Sequence, residues 1–322
     1  MPIVENSTYR PPLTFKNPHV NTIYAALMRR APYPEFKRER IDTPDGDFLD
    51  LDWSKTTIIS DKIVICTHGL EGGARKPYMR GMMHRFNLAG FDALGINLRG
   101  CSGEDNRFLS GYHSGRSDDL AHVVNYVSTK NYRQIVLIGF SIGGNITLKY
   151  VGEMGEKIPQ KISHTIAFAV PCDLSACSLE FEKAKNIVYL MNFLKTLREK
   201  AFIKARKYPN QVNRAAISRA FTFRAFDDAF TAPVNGYRDA QEYWQKASCL
   251  PFLKNIAVPT LLVSAKDDSF LAPSCYPIAL AKSKSNFFLE MPEKGGHMGF
   301  MSPDTEGYLW SEHRAIDFVN KI

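Results

Sequence analysis

The 322-residue sequence lacks the patterns that usually indicate a metal or cofactor. Its six cysteines include no Cys-x-x-Cys pair, and no His-x-x-x-His, His-Glu-x-x-His or spaced carboxylate cluster occurs, which argues against a zinc or redox centre. No Gly-x-Gly-x-x-Gly follows a predicted strand, so a bound dinucleotide is not expected. We therefore expect a protein that works without a metal and without a cofactor.

Long apolar runs and a secretory leader are also absent. No stretch approaches the ~18 apolar residues of a membrane-spanning helix, and the N-terminal residues show no basic segment followed by an apolar one. The cysteines stand mostly in apolar contexts, which is typical of reduced thiols packed as small hydrophobic residues. These observations predict a cytoplasmic protein.

The sequence has an excess of basic residues, with a formal net charge of +8 at pH 7. These residues cluster at 29–40 and again at 195–207, but neither cluster alternates with aromatic residues as nucleic-acid motifs do. We therefore expect no nucleic-acid partner and interpret both clusters as solvated faces. Weak attraction to an anionic membrane surface or to an acidic substrate is the alternative.

Strand-like and helix-like segments alternate along most of the chain. The predicted strands cover residues 36–42, 47–53, 63–67, 91–97, 135–139, 165–170, 260–265 and 287–291. Such alternation implies crossover connections and a mostly parallel sheet with helices on both faces. We therefore predict a single α/β domain over residues 1–322, and the pattern does not indicate its oligomeric state.

The stretch between the predicted strands at 165–170 and 260–265 is too long for a loop. Apolar residues recur in it at helical spacing, namely Ile187, Leu190, Met191, Leu194 and Leu197. We predict that residues 172–245 form a helical insertion, a cap or lid over the strand ends. Met191 and Leu194 are candidates for the wall of an apolar pocket, but the stripe would equally fit packing on the main domain.

The strongest local motif is Gly-Phe-Ser-Ile-Gly at residues 139–143, between a buried strand and a helix. In this context the serine occupies a strained turn, and glycines flank it because a Cβ would collide with the neighbouring strand or helix. The motif predicts that Ser141 is a nucleophile in an α/β-hydrolase fold. The backbone N–H groups of Ile142 and of Leu70, in the His-Gly-Leu-Glu-Gly loop at 68–72, would bind the oxyanion.

A nucleophilic serine needs a base and an orienting carboxylate. Among the eight histidines, His297 is in a glycine-flanked loop after the last predicted strand, where the base of this fold lies. Asp267 and Asp268 follow the strand at 260–265, which gives the chain order Ser, Asp, His of α/β-hydrolases. We favour Asp268, the second acidic residue shortly before Pro273, and the choice of Asp267 stays open.

Several longer motifs resemble those of the YheT-like esterases. They are the loop at 68–72, Asn-Leu-Arg-Gly-Cys-Ser-Gly-Glu at 97–104, Gly-Phe-Ser-Ile-Gly-Gly-Asn at 139–145, Gly-Gly-His-Met-Gly-Phe at 295–300, Asn-Pro-His at 17–19 with Thr22, and Phe-Asp with Thr-Ala-Pro and Gly-Tyr at 226–237. The resemblance covers residues from about 10 to 300. It implies a hydrolase of short- to medium-chain carboxylic esters or acylglycerols with Ser141, Asp268 and His297 as its triad, and it identifies no physiological substrate.

The residues and the resemblance together predict a serine hydrolase of carboxylic esters, of the carboxylesterase or acylglycerol-lipase type. Its partner would be a small-molecule or lipid ester that acylates Ser141. Two alternatives stay open at this point. One is an acyltransferase that passes the same acyl group to an alcohol, and the other is a catalytically silent binding protein of the same fold.

Overall fold

A computed structural model describes residues 2–31, 33–302, 304 and 306–321 of the chain. Within these residues nine strands form one sheet. The strands are β1 (Ile3–Val4), β2 (Lys37–Asp42), β3 (Phe48–Ser54), β4 (Lys62–Thr67), β5 (Asp92–Asn97), β6 (Gln134–Phe140), β7 (Ile162–Phe168), β8 (Thr260–Val263) and β9 (Phe287–Glu290). Their order across the sheet is β1-β9-β8-β7-β6-β4-β5-β3-β2. The first seven strands of this order, from β1 across to β5, each pair in parallel with their neighbours among these seven. Only β3 and β2, at one edge, pair antiparallel.

Twelve α-helices are described, most of them between strands. They are α1 (Pro18–Leu27), α2 (Pro77–Leu88), α3 (Ser117–Ser128), α4 (Ile142–Met154), α5 (Leu174–Phe181), α6 (Ile187–Lys207), α7 (Arg214–Ser218), α8 (Phe223–Phe226), α9 (Ala232–Val234), α10 (Ala240–Ala247), α11 (Ile278–Ser283) and α12 (Trp310–Lys321). Apolar residues of α3 and α4 cover one face of the sheet, and those of α2 and α12 cover the other. The predicted parallel sheet with helices on both faces is confirmed.

The central strands are uniformly apolar because both of their faces are buried. In β4, Ile63 and Ile65 belong to the core on the side of α3 and α4, while Val64 and Cys66 belong to the core on the side of α2 and α12. Successive side chains of a strand point to opposite faces, so a strand covered on both sides has no polar alternation. This pattern fixes the middle of the sheet, including β6, whose end leads into the turn at Ser141.

Helices α5 to α10 lie between β7 and β8. Apolar residues of α6 to α8 form a separate cluster, and those of α9 and α10 form another with Leu174 of α5. The longest, α6, has 21 residues and buries Leu190 and Leu194 in the first of these clusters. The first of these helices begins at Leu174, two residues after the predicted start at 172. The last ends at Ala247, two residues after the predicted end at 245.

Candidate active site

Ser141 occupies the turn between β6 and α4, with φ of 52° and ψ of −121°. Its backbone N–H donates to the carbonyl oxygen of Phe168 in β7 at 2.9 Å, which anchors the turn to the sheet. A Cβ at Gly139 would lie 2.5 Å from the carbonyl oxygen of Gly143, and one at Gly143 would overlap the backbone of β4. Glycine is therefore required on both sides of the serine, for the steric reason that the motif predicts.

The side chains of Ser141, His297 and Asp268 form a continuous chain of hydrogen bonds. His297 Nε2 lies 2.9 Å from Ser141 Oγ, and His297 Nδ1 lies 2.8 Å from Asp268 Oδ2. Asp268 is buried, and its Oδ1 accepts from the backbone N–H of Phe270 at 2.9 Å, which holds the carboxylate in place. With the Nδ1 proton donated to Asp268, the free Nε2 is placed to take the serine proton.

The neighbouring carboxylate, Asp267, serves a different part of the same loop. Its Oδ1 accepts from the backbone N–H of Gly296 at 3.0 Å, and its Oδ2 lies 4.0 Å from Lys294 Nζ. Burial raises the pKa of Asp267. Asp267 thus fastens the backbone just before His297, whereas Asp268 contacts the ring.

Helix α1 also fixes the loop that carries His297, which sequence reasoning missed. Thr22 Oγ1 accepts from the backbone N–H of His297 at 2.8 Å and donates to the carbonyl oxygen of Pro18 at 2.7 Å. Asn17 begins the helix, because its side chain accepts from the N–H groups of the second and third residues that follow it. The sequence motif Asn-Pro-His with Thr22 pointed to this helix. It did not show the contact, because Thr22 and His297 lie 275 residues apart in the chain.

Thr22→Val is expected to lower kcat about tenfold while the protein stays folded. Valine has the shape of threonine but cannot accept, so the buried N–H of His297 loses its partner and the ring loses its fixed position, at a cost of about 1–3 kcal/mol. The measurement is kcat and KM on one ester for wild type, Thr22→Val and Thr22→Ser, with thermal melts. Serine retains the hydroxyl and should restore most of the rate; equal rates for valine and serine would contradict a positioning role for Thr22.

The loop at residues 68–72 lies directly beside Ser141. A Cβ at Gly69 would be 3.2 Å from the Cβ of Ser141, so only glycine allows this approach without displacement. His68 supports the loop from below: its Nδ1–H donates to the carbonyl oxygen of Gly69 at 2.7 Å, and its Nε2 accepts from the N–H of Leu98 at 3.1 Å. Burial lowers the pKa of His68 to about 4, so the ring is neutral and both bonds are kept at physiological pH.

Glu71, the residue after Leu70, ties the same loop to helix α6. It has a positive φ of 51°, and its carboxylate accepts from Lys200 Nζ at 3.0 Å and from the hydroxyl of Tyr112 at 2.5 Å. The Tyr112 oxygen in turn accepts from the N–H of Glu71 at 3.2 Å. These three contacts hold a strained residue in place directly after Leu70.

A cavity of about 1230 Å³, open solvent at its mouth included, lies above Ser141. The cavity is bordered at this point by Ser141, His297, Leu70 and Ile142. The remaining wall comes mainly from the helices between β7 and β8, and its aromatic side chains are Tyr112, Phe181, Phe193, Phe223, Phe226, Phe230, Tyr243, Trp244 and Phe270. The arrangement joins a hydrogen-bonded serine to a largely apolar binding space.

The structure corrects the two pocket residues predicted on α6. Leu194 is fully buried in the core of the insertion, and Met191 is 40% exposed to solvent, so neither borders the cavity. The cavity is bordered instead by an adjacent stripe of the helix, Phe193, Leu197, Lys200 and Lys204. These residues are spaced by four, three and four, and so share one face at 3.6 residues per turn.

Neither a metal site nor a membrane span is found in the part of the chain that the structure describes. There, no group of three or more His, Cys, Asp or Glu side chains is arranged to hold a metal ion. Among the described helices none has both the length and the apolar character that crossing a membrane requires.

Comparison with known proteins identifies the family. A family model described as alpha/beta hydrolase fold matches residues 62–304. The Escherichia coli (strain K12) protein named "Putative esterase YheT" is 32% identical over 95% of this chain and 91% of its own length. Phospholipase ABHD3 of Homo sapiens is 29% identical over 92% of this chain and 75% of its own length, and human monoacylglycerol lipase ABHD2 is 27% identical over 98% and 80%.

Solved structures give the same fold. The Pyrococcus furiosus esterase Pf2001 superposes with a TM-score of 0.60 over 92% of this chain and 97% of its own, at 17% identity. At that identity the likeness is one of fold alone. The sequence matches go further and confirm the resemblance predicted from the motifs: the chain belongs to the α/β-hydrolase family and, within it, to the YheT-like branch.

Proposed function

We propose that this chain is a serine hydrolase of carboxylic esters that forms an acyl-enzyme on Ser141. The hydrogen-bonded Ser141–His297–Asp268 chain at the floor of a largely apolar cavity carries the proposal. Three relatives whose names include esterase, phospholipase and monoacylglycerol lipase support the class of substrate. Asp268 is the proposed acid rather than Asp267, because Asp268 contacts the ring.

The proposed reaction follows from the distances in the triad. Ser141 Oγ adds to the acyl carbonyl carbon while His297 Nε2, 2.9 Å away, takes the hydroxyl proton. The buried Asp268 carboxylate stabilises the imidazolium, which then protonates the leaving alkoxide. Water attacks the acyl-enzyme with His297 as base, and Ser141 leaves with a proton as the acid is released.

Leu70 and Ile142 are the proposed donors to the oxyanion. Ile142 is the first residue of α4, so its N–H has no partner within the helix and lies at the positive end of the helix dipole. Leu70 follows Gly69, which closely approaches Ser141, and the Glu71 contacts fix its backbone. Such fixed donors act on the charge that develops in the transition state, and each typically contributes about 10²–10³-fold to kcat.

The helices over residues 172–245 are proposed to act as a cap that supplies the acyl-binding wall. Seven of the aromatic side chains that border the cavity lie in this segment, Tyr243 included, while Ser141 and His297 come from the main domain. A wall of this kind excludes water from the acyl chain and favours longer acyl groups until the space is filled.

We expect kcat/KM to rise from acetyl to about hexanoyl or octanoyl esters and then to fall. Each methylene buried contributes about 0.8 kcal/mol, which is about fourfold in kcat/KM. The measurement is a series of p-nitrophenyl esters run beside acylglycerols. Phe193→Ala should move the optimum to longer chains because it enlarges the cavity, whereas Met191→Ala, on the exposed side of the same helix, should leave it unchanged. An acetyl optimum that Phe193→Ala does not move would contradict the acyl wall.

A further inference from the structure

The motif at residues 226–237 has no part in the reaction described above, yet it borders the same cavity. Asp227–Thr231 form a single π-helical turn that continues into α9. Six residues of this segment border the cavity: Phe226, Asp227, Phe230, Thr231, Val234 and Asn235. Single π-helical turns are rare and occur frequently at functional sites. The polar side chains of this segment are therefore candidates for contact with a substrate.

Asp227 is a buried carboxyl group between Phe226 and Phe230 in the wall of the cavity. Its Oδ2 accepts from Trp244 Nε1 at 2.8 Å, and the hydroxyl of Thr231 is a second donor to the group. Among the described residues no lysine, arginine or histidine forms an ion pair with it, and burial raises the pKa of Asp227 to about 7. A carboxylate can accept about four hydrogen bonds. Asp227 therefore retains capacity to accept from a group in the cavity.

Asn235 is a second acceptor in the same stretch of wall. Its Nδ2 donates to the carbonyl oxygen of Thr231 at 2.8 Å, which fixes the orientation of the side chain. Its Oδ1 is buried and has no hydrogen-bond partner within the described residues. Buried amide oxygens without a partner are rare because they lose the bonds they would form with water. The Asn235 oxygen therefore needs a donor, and the Asp227 carboxyl group can accept a further one.

We propose that Asp227 and Asn235 form a polar subsite in the cavity wall and that this subsite binds a hydroxyl group carried by the ester substrate away from its ester bond. The proposal rests on the proposed ester hydrolysis and narrows its substrate class. A hydroxyl group supplies the missing donor without bringing a charge. An ammonium group is disfavoured, since Arg99, Lys200 and Lys204 already border the same cavity.

The subsite should act as a specificity determinant. A plain alkyl chain that reaches the subsite would leave the Asn235 oxygen unpaired and the Asp227 carboxyl group without a further donor, whereas a hydroxylated chain would supply one. Sites built to hydrogen-bond a substrate hydroxyl discriminate strongly against analogues that lack it. We expect at least a tenfold preference in kcat/KM for the hydroxylated ester at the chain length that spans the distance from Ser141 to the subsite, about the effect of one hydrogen bond to a charged group.

The experiment compares matched esters in two arms. In the first, p-nitrophenyl 6-hydroxyhexanoate, 8-hydroxyoctanoate and 10-hydroxydecanoate are run against the corresponding plain esters, which tests a hydroxyl on the acyl side. In the second, ω-hydroxyalkyl octanoates are run against alkyl octanoates, which tests the alcohol side. A preference in either arm supports the subsite and shows which end of the substrate it contacts; equal rates within every pair of both arms would overturn it.

Variants then assign the preference to these residues. Asp227→Asn keeps an oxygen for Trp244 but loses the charge, and Asn235→Leu removes the unpaired acceptor, so each should lower the hydroxyl preference at least threefold, with melts as the check on folding. Asp228→Asn, an exposed neighbour, should keep it. A preference that persists unchanged in both folded variants would overturn the assignment.

Calorimetric titration of wild type with 8-hydroxyoctanoate and with octanoate separates this inference from the proposed function, because it needs no turnover. Tighter binding of the hydroxylated acid supports the subsite even if neither ester is hydrolysed, whereas failure to hydrolyse any ester contradicts only the proposed function. Equal affinity for the two acids, together with equal rates on the esters, counts against the subsite alone.

Discussion

Replacing Ser141 by alanine is expected to lower kcat by about 10⁴-fold or more on any ester that the protein hydrolyses, because the members of a triad act as a unit. Without Oγ no acyl-enzyme forms, and His297 has no hydroxyl to deprotonate. The measurement is kcat on a p-nitrophenyl ester for purified wild type and variant, with thermal melts. The alanine variant should melt like wild type, since the Oγ group bonds only the His297 ring among the described residues.

A second serine on the cavity wall provides the matched control. Ser178 borders the same cavity, but its hydroxyl donates to the carbonyl oxygen of Ser175 in its own helix. Ser178→Ala should therefore retain kcat within about threefold, as substitutions away from the reacting atoms usually do. Full activity of Ser141→Ala would show that the nucleophile is elsewhere.

Asp268→Asn is expected to lower kcat by about 10⁴-fold, and Asp267→Asn far less. An asparagine at 268 can hydrogen-bond the ring but favours the wrong tautomer and carries no charge to stabilise the imidazolium. An asparagine at 267 retains an oxygen for the N–H of Gly296, which is the main contact of that side chain. Both variants are to be assayed on one ester at the same pH. Equal losses, or the larger loss at 267, would contradict the assignment of Asp268 as the orienting acid.

The sheet could be predicted from the sequence because its central strands are short, continuous and flanked by turns. The predicted strand at 135–139 falls within β6, and that at 287–291 extends one residue beyond β9. Strand β1 was not predicted, because two residues, Ile3 and Val4, form no periodic pattern. Their pairing with β9 joins the start of the chain to its last strand, and no local signal reports such a contact.

In the candidate site, too, residues that stand in local sequence motifs could be predicted, whereas contacts between residues far apart in the chain could not. Ser141 and His297 stand in glycine-flanked motifs whose backbone geometry is itself the signal, with positive φ at Ser141 and at Gly296. Thr22 belongs to a motif of the family, but the motif does not show what its hydroxyl contacts, and only the fold brings that hydroxyl to the backbone of His297. Positioning residues of this kind act across elements, and local patterns do not report them.

The interpretation of the basic clusters as solvated faces is wrong for Arg29 and Lys204. Arg29 is buried and forms a bidentate pair with Glu312 of α12, whereas Arg40 pairs with Asp50 and stays exposed. Lys204 donates to the carbonyl oxygen of Asn106 at 2.9 Å, so its charged end points inward. The acidic partners come from other strands, helices and loops, and the sequence alone does not show which lysines and arginines they draw in.

The apolar stripe on α6 shows a further limit. An amphipathic pattern identifies a face that is buried in the cap but not which neighbouring face meets a cavity. The face of α6 that borders the cavity contains two lysines besides Phe193 and Leu197. A search for apolar residues alone therefore selects the wrong side of the helix.

The central claim, that Ser141 is the nucleophile, is tested most directly by a fluorophosphonate probe followed by peptide mass spectrometry. A phosphonyl group transfers only to a serine activated by a base, so heat-denatured protein and the Ser141→Ala variant serve as controls. We predict one phosphonyl adduct per native chain, on the peptide that contains Ser141, and none in either control. Native protein that stays unlabelled, or that is labelled on a different residue, would contradict the account.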